Sequence, residues 1–505
     1  MALMFPSIWA WHDRRMTLRP LLFCCCLLLA FAAHAEVGER WYSVRLDQRH
    51  VGYMVSTREV QDERLITRSE LRIQLQRNGE RLLVESEETS IETADGRPLG
   101  FSSRFETVGT SSKVEGTVGL DGEVRADVQR AGGSETVHLR WPSRALLAEG
   151  QRLALLAFLA TDKPELEFLA FDPTSMRAMS VRSTRSKANQ QLVSTPPLDG
   201  EHGPTIEIKQ TMGRDGSSVE NHLLLDLSSA EPLAMRVPAL GLQLEFIACD
   251  RACAMAEPEA ADVLARAMVE SPRPLRADER LRGLQYQIRV EGGSGLALGT
   301  VPGQHLSGQP NEPLLLIDPQ GGRASPPQEA DLRATRWLQS DDPVLRDLAL
   351  DITRDQSRDS IRMTLLERRV RDLIQTKSLR IGYASAREAL DLAEGDCTEH
   401  AVLLAALARA VNIPARVVTG LAYSTRFGSR RHVFVPHAWV IAWVDGRWQG
   451  YDAALPRFDA AHIGLASGHG DPFDFYSGLD LLGRLQISSV ERASRRELRA
   501  VRALP

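Results

Sequence analysis

From Glu36 to about Phe246 apolar and polar residues alternate in short runs separated by turn signals. Tyr42, Val44 and Leu46 stand against Val51, Tyr53 and Val55, and Leu71, Ile73 and Leu75 run into Asn78-Gly79. Asp95-Gly96 and Asp121-Gly122 mark further hairpins. This period-two pattern predicts an antiparallel sheet or open barrel over residues 36–248. A short helix over 258–270 and a strand-like piece over 281–290 follow. Residues 296–327 are rich in Gly and Pro and include Pro326-Pro327, which predicts a linker closing a connecting region at 249–327. Beyond it the period becomes helical, with helices expected at 328–340, 343–354 and 358–376. A strand near 484–490 and a charged end make up 481–505.

The run from Cys397 to Val411 is a good helix former, rich in Ala and Leu. Asp396 is its candidate N-cap, and Glu399 three residues on completes a capping box. Cys397 is therefore the first helical residue, where unpaired backbone N–H groups and the positive end of the helix dipole favour a thiolate. Forty residues later come His437-Ala438-Trp439, the turn Asp445-Gly446, and Asp452. A two-residue turn at Asp445-Gly446 sets Val444 against Arg447. Counting outward pairs His437 with Ala454 and leaves Asp452 diagonal to His437 on the same face, within reach of its side chain. The same parity puts Trp439, Ile441 and Trp443 beside the imidazole as an apolar wall. Cys, His and Asp in this arrangement predict nucleophilic thiol chemistry.

These segments resemble the transglutaminase-like superfamily, the papain-related fold that pairs a Gly-Asp-Cys helix start with a His-Ala-Trp strand and a following Asp. The likeness runs through Ser385–Leu390, the Cys397 helix, Asn412-Ile413-Pro414-Ala415-Arg416, the strand to Tyr423 and the hairpin ending at Asp452. It implies an α+β chain with an N-terminal antiparallel β-rich domain and a papain-like core over 328–480. It also implies Cys397 as nucleophile, His437 as general base and acid, and Asp452 as the group fixing the imidazole tautomer. Asn412 stands where many relatives carry Gly, and Asn tolerates the same left-handed cap. Ile441 stands where many carry Glu, which leaves substrate preference open.

The backbone N–H of Cys397 is an oxyanion donor by position. Tyr383 is the expected second donor, with a half-buried structural aromatic as the competing reading. His400, on a neighbouring face of the helix, reads as structural with a secondary role in tuning the thiol. The spacing of Cys397, His400, His437 and Asp452 does not follow a zinc pattern, so neither metal nor cofactor is expected. The basic loop Ser424–His432, which leads into the His437 strand, reads as a solvated loop, with a segment leaning over the cleft toward an acidic substrate as the competing reading.

Residues 1–35 read as a signal peptide, with an apolar stretch from Leu18 to Ala33 after Arg14, Arg15 and Arg19 and an Ala33-His34-Ala35 cleavage pattern. Either Met1 or Met16 serves as start, and Cys24-Cys25-Cys26 lie within the apolar core. Export leaves Cys249, Cys253 and Cys397; the first two are either a local disulfide or two free buried thiols. No later segment is long and apolar enough to span a bilayer, so the mature chain is expected in the periplasm or secreted. About 470 mature residues exceed one core. A formal charge of -5 with no long basic stripe excludes nucleic acid as a partner. The substrate expected is a peptide or protein amide, cleaved by water or transferred to an amine, with hydrolysis favoured. The competing reading is a binding or structural module of the envelope that keeps the fold without turnover.

Overall fold

The computed structural model describes residues 38–502, apart from 78, 108–109, 131–132, 187–202, 215–216, 240–241, 292–300, 310–311, 323–324, 379–382 and 472–480. The segment expected to be an export signal lies outside the described residues, so its reading stays a sequence expectation.

Between Gly38 and Cys249 the described chain forms one 15-stranded sheet. Nearly all of it is an antiparallel meander, and the first strand, Gly38–Leu46, pairs with the last, Leu242–Cys249. The strands at its two ends, Gly133–Arg140 and Ala145–Leu146, are consecutive in the chain, and the sheet curls back on itself there. Phe101, Trp141 and Phe171 close the seam, with Trp141 and Phe171 ring centroids 4.3 Å apart. The alternating pattern missed one element, the helix Ala148–Leu159. Leu155, Phe158 and Leu159 pack it inside the curl against Ile208, Leu223 and Leu225. The Glu92 carboxylate takes the N–H groups of Glu149 and Gly150 at its start, at 2.7 and 2.9 Å.

The connecting region departs from expectation. Only Val263–Ala267 of the expected 258–270 helix is helical, and Val269–Glu270 pairs with the strand bearing His437. Residues 296–327 are not a linker, because they carry the strands Gln304–Gln309 and Glu312–Ile317. These join Leu284–Val290 and the C-terminal strand Leu485–Arg492 in a four-stranded sheet. The two chain segments read as a connection and a tail are thus one sheet. Just past this sheet Gly321, at φ 81°, packs so closely that a Cβ would stand 1.9 Å from the Trp448 carbonyl oxygen.

Residues 328–340 form only one helical turn, Glu329–Asp331. The Asp331 carboxylate takes the Gln328 N–H at 2.8 Å and pairs with Arg416, and the Thr335 hydroxyl takes the Trp337 and Leu338 N–H groups. These side chains compete with the helical ladder. Helices Pro343–Thr353 and Asp359–Leu373 form close to the expected positions. With Ala386–Leu392 they surround the helix Cys397–Ala410, whose Ala401–Ala408 run is buried throughout.

That central helix lies on an antiparallel sheet built from Ala415–Phe427, Arg430–Val444, Arg447–Tyr451 and His462–Gly468. Ala438, Val440, Ala442 and Val444 face it. The small sheet covers part of the opposite side through Tyr286, Phe434 and Ile463. Asn412 adopts φ 64° just past the helix, and the N–H groups of Asn412 and Ile413 return to the Arg409 and Ala408 carbonyls.

Candidate active site

Cys397 is the first residue of its helix. The Asp396 carboxylate accepts the Thr398 N–H at 2.7 Å, and the Glu399 carboxyl accepts the Asp396 N–H at 2.8 Å, which closes the capping box. The thiol meets the backbone N–H of Ala438, next to His437. Cys397 and His437 line one cleft of about 470 Å³, with Arg77, Lys377, His400, Tyr423, Phe427, Val435, Leu455 and Leu482 among its walls.

The hairpin forms with the expected turn. Asp445 and Gly446 both have positive φ, and Val444 opposes Arg447. The ladder stops at Val440 against Tyr451, so the expected pairing of His437 with Ala454 is not made. Asp452 instead leaves the strand and turns its carboxylate inward. One oxygen caps the N–H groups of Ala454 and Leu455 at 2.8 and 2.9 Å. The other accepts His437 Nε2 at 2.8 Å, which leaves Nδ1 as the unprotonated nitrogen of a neutral ring. Trp439 stacks beside His437, with Ile441 and Trp448 behind it. The apolar wall is on the expected face.

His462 had no signal in the sequence. Its Nε2 lies 3.0 Å from the same Asp452 oxygen, and its Nδ1 faces Asp459. Burial opposes a charge there, but hydrogen bonds to Asp452 and Asp459 and their charges raise the imidazole to about 9. Burial also works against the Asp452 charge, yet His437 and His462 together hold its carboxyl well below the usual range. His437, Asp452 and His462 offer three donor atoms close enough to share a metal ion. The short contacts from both imidazoles to one carboxylate oxygen fit hydrogen-bond donation instead, so this donor set gives no reason to add one.

The thiol differs from expectation. Burial first, and then the Asp396 charge, push Cys397 well above its ordinary range; the Ala438 N–H and Arg77 pull the other way. The helix start is occupied by the Asp396 carboxylate, so its positive end does not act on the sulfur alone. At rest the group is a thiol. Burial also drives Glu399 upward, with the Asp396 charge adding to it, while Arg77 and the Thr398 N–H keep Asp396 ionised despite its burial. His400 is buried, with Nδ1 2.6 Å from the Asp396 carbonyl oxygen and its pKa lowered chiefly by burial.

Tyr383 is not where an oxyanion donor is needed. Its hydroxyl donates to the Gly470 carbonyl at 2.7 Å, its ring stands edge-on to Trp337, and it is absent from the cleft wall. The chain entering helix Ala386–Leu392 turns it toward the helix layer. Cys249 and Cys253 form a disulfide, and Cys397 is the free cysteine among the described residues. No helix among the described residues is long and apolar enough to cross a membrane.

No curated protein matches the chain in sequence. Among solved structures it is similar to a beta-barrel-like protein of a domain of unknown function from Brucella abortus, at 14% identity. That similarity covers 42% of this chain and 96% of the other, with a TM-score of 0.32. It is also similar to the periplasmic domain of TgpA from Pseudomonas aeruginosa, at 18% identity, covering 37% of this chain and 88% of the other with a TM-score of 0.26. Residues 346–453 match the family model of the transglutaminase-like superfamily, a span that holds the Cys397 helix, the His437 strand and Asp452. Residues 346–453 thus carry a domain of the transglutaminase-like superfamily.

Proposed function

We propose that this chain is an exported thiol enzyme that acts on amide bonds of a peptide or protein through an acyl-enzyme on Cys397. The observation that carries the reading is His437, held through Nε2 by Asp452 at 2.8 Å in the cleft that Cys397 also lines. The resting thiol is protonated, so ionisation accompanies attack. The Sγ–H proton passes to His437 Nδ1 as sulfur bonds to the carbonyl carbon, and the Cys397 N–H is the donor nearest the developing oxyanion. Collapse breaks the C–N bond; His437 returns the proton to the leaving amine, and a thioester remains. Water then attacks with His437 taking its proton, which frees the acid and restores the thiol. An amine could replace that water; hydrolysis is the simpler outcome because it needs no second substrate.

A second reading, a module without turnover, is favoured by one observation: burial and the Asp396 charge push the thiol of half-buried Cys397 well above its ordinary range. Mass-spectrometric trapping separates the two. Incubation with a library of periplasmic peptides should leave an acyl adduct on Cys397 that is absent from Cys397→Ala. Absence of any adduct would support the silent module.

A further inference from the structure

Arg77 ends the strand Arg64–Arg77 of the N-terminal sheet, 319 positions before Asp396 in sequence, yet its guanidinium lies 2.7 Å from the Asp396 carboxylate. The pair is largely enclosed, with side chains 19% and 6% exposed. The strand end is fixed in place. The Gln76 N–H donates to the Ala261 carbonyl at 2.9 Å, and Gln76 bridges to Asp262, just ahead of the Leu264 that lines the cleft. Arg77 and Asp396 line that cleft beside Cys397.

We propose that Arg77 is a positioning residue of the thiol site, supplied by the N-terminal sheet, which neutralises Asp396 so that the neighbouring Cys397 can ionise during attack. The proposal rests on the thiol chemistry proposed above. The charge balance around the sulfur supports it. From its own helix Cys397 faces Asp396, Glu399 and His400; from the sheet, His437 and beyond it Asp452; from other segments, Lys377 and Arg77. Burial keeps Glu399 and His400 toward their neutral forms, and Asp452 is matched by His462. Asp396 is the anion adjoining the thiol, and Arg77 is its partner. Without that partner a buried carboxylate beside the sulfur opposes a second negative charge.

The test is the pH–rate profile of Cys397 carbamidomethylation by iodoacetamide in the full-length protein, with the modified site identified by mass spectrometry. Arg77→Gln should slow the reaction at pH 7 by about tenfold or more and move the profile to higher pH, as expected when a neighbouring charge is left uncompensated. Arg77→Lys should stay within about threefold of the wild type, since it keeps the charge. Adding Asp396→Asn to Arg77→Gln should restore the rate, because Asn still caps the helix while the offending charge is gone. An Arg77→Gln rate equal to wild type, or a double variant as slow as the single, would overturn the proposal. If Arg77→Gln does not fold, Asp396→Asn alone decides: a severalfold faster thiol supports it and an unchanged one overturns it. Acyl trapping on Cys397 tests the enzyme reading separately, while the ratios between variants report on Arg77.

Discussion

Two imidazoles meet on one oxygen of Asp452, and only His437 of the two lines the cleft. His462 therefore acts through the carboxylate, keeping it ionised and oriented. Its proton also ties stability to pH. A group raised from 6.5 to about 9 in the folded state contributes fully below pH 6.5, and that contribution is lost as pH rises through about 9. The loss is on the order of 3 kcal/mol. Urea midpoints measured at pH 6 and pH 9.5 should fall in the wild type and differ much less in His462→Gln. At the same scale, Asp452→Asn keeps the shape of the carboxylate but not its charge, so His437 is no longer held in one tautomer. Acyl-enzyme formation should drop about a hundredfold or more while the fold persists, measured by single-turnover mass spectrometry against circular dichroism.

At the scale of elements, the cysteine helix and the histidine strand meet in the core, the helix apolar on all sides and the strand on both faces. Ala438, Val440, Ala442 and Val444 on the strand are small or β-branched, and the alanines among Ala401–Ala408 on the helix let the two elements pack closely. The neighbouring strand Ala415–Phe427 is equally tight. Gly420, opposite His437, has no room for a Cβ, which would stand 2.0 Å from the Ile463 carbonyl oxygen. Gly420→Ala should cost at least about 2 kcal/mol and lower the melting temperature, because the obstructing atom is backbone and cannot rotate away. A melting curve within a degree of wild type would show that the pairing of strands Ala415–Phe427 and His462–Gly468 can shift to accommodate it.

Across the whole molecule the N-terminal sheet holds the transglutaminase-like domain at more than one point. Arg77 reaches Asp396 at the cleft; Arg214 reaches Asp471, and Arg336 reaches the Thr174 carbonyl. Arg214 and Asp471 have side chains only 5% and 19% exposed, so Arg214→Met leaves Asp471 enclosed without its guanidinium. The docking should loosen: protease nicking between the sheet and the transglutaminase-like domain should speed up severalfold, while Cys397 alkylation changes less than in Arg77→Gln. Equal sensitivity of alkylation to both substitutions would mean that docking as a whole, and not the charge beside the thiol, governs the site.

The sequence by itself determined the local geometry of the site. Asp396 and Glu399 cap the helix, Asp445-Gly446 fixes the hairpin, and parity puts Trp439 and Ile441 beside His437, because each depends on residues a few positions apart whose spacing sets direction. The strand-rich front was legible for the same reason. The tertiary structure decided what distant segments bring together. His462 joins Asp452 after the chain leaves its hairpin, and Arg77 arrives from 319 positions upstream. The strand Glu312–Ile317 pairs with Leu284–Val290, itself paired to Leu485–Arg492, and Tyr383 turns away to Gly470. The protonation of Cys397 belongs with these. A helix start favours a thiolate, but burial and the adjacent carboxylate outweigh it, and neither can be read from the spacing of a motif.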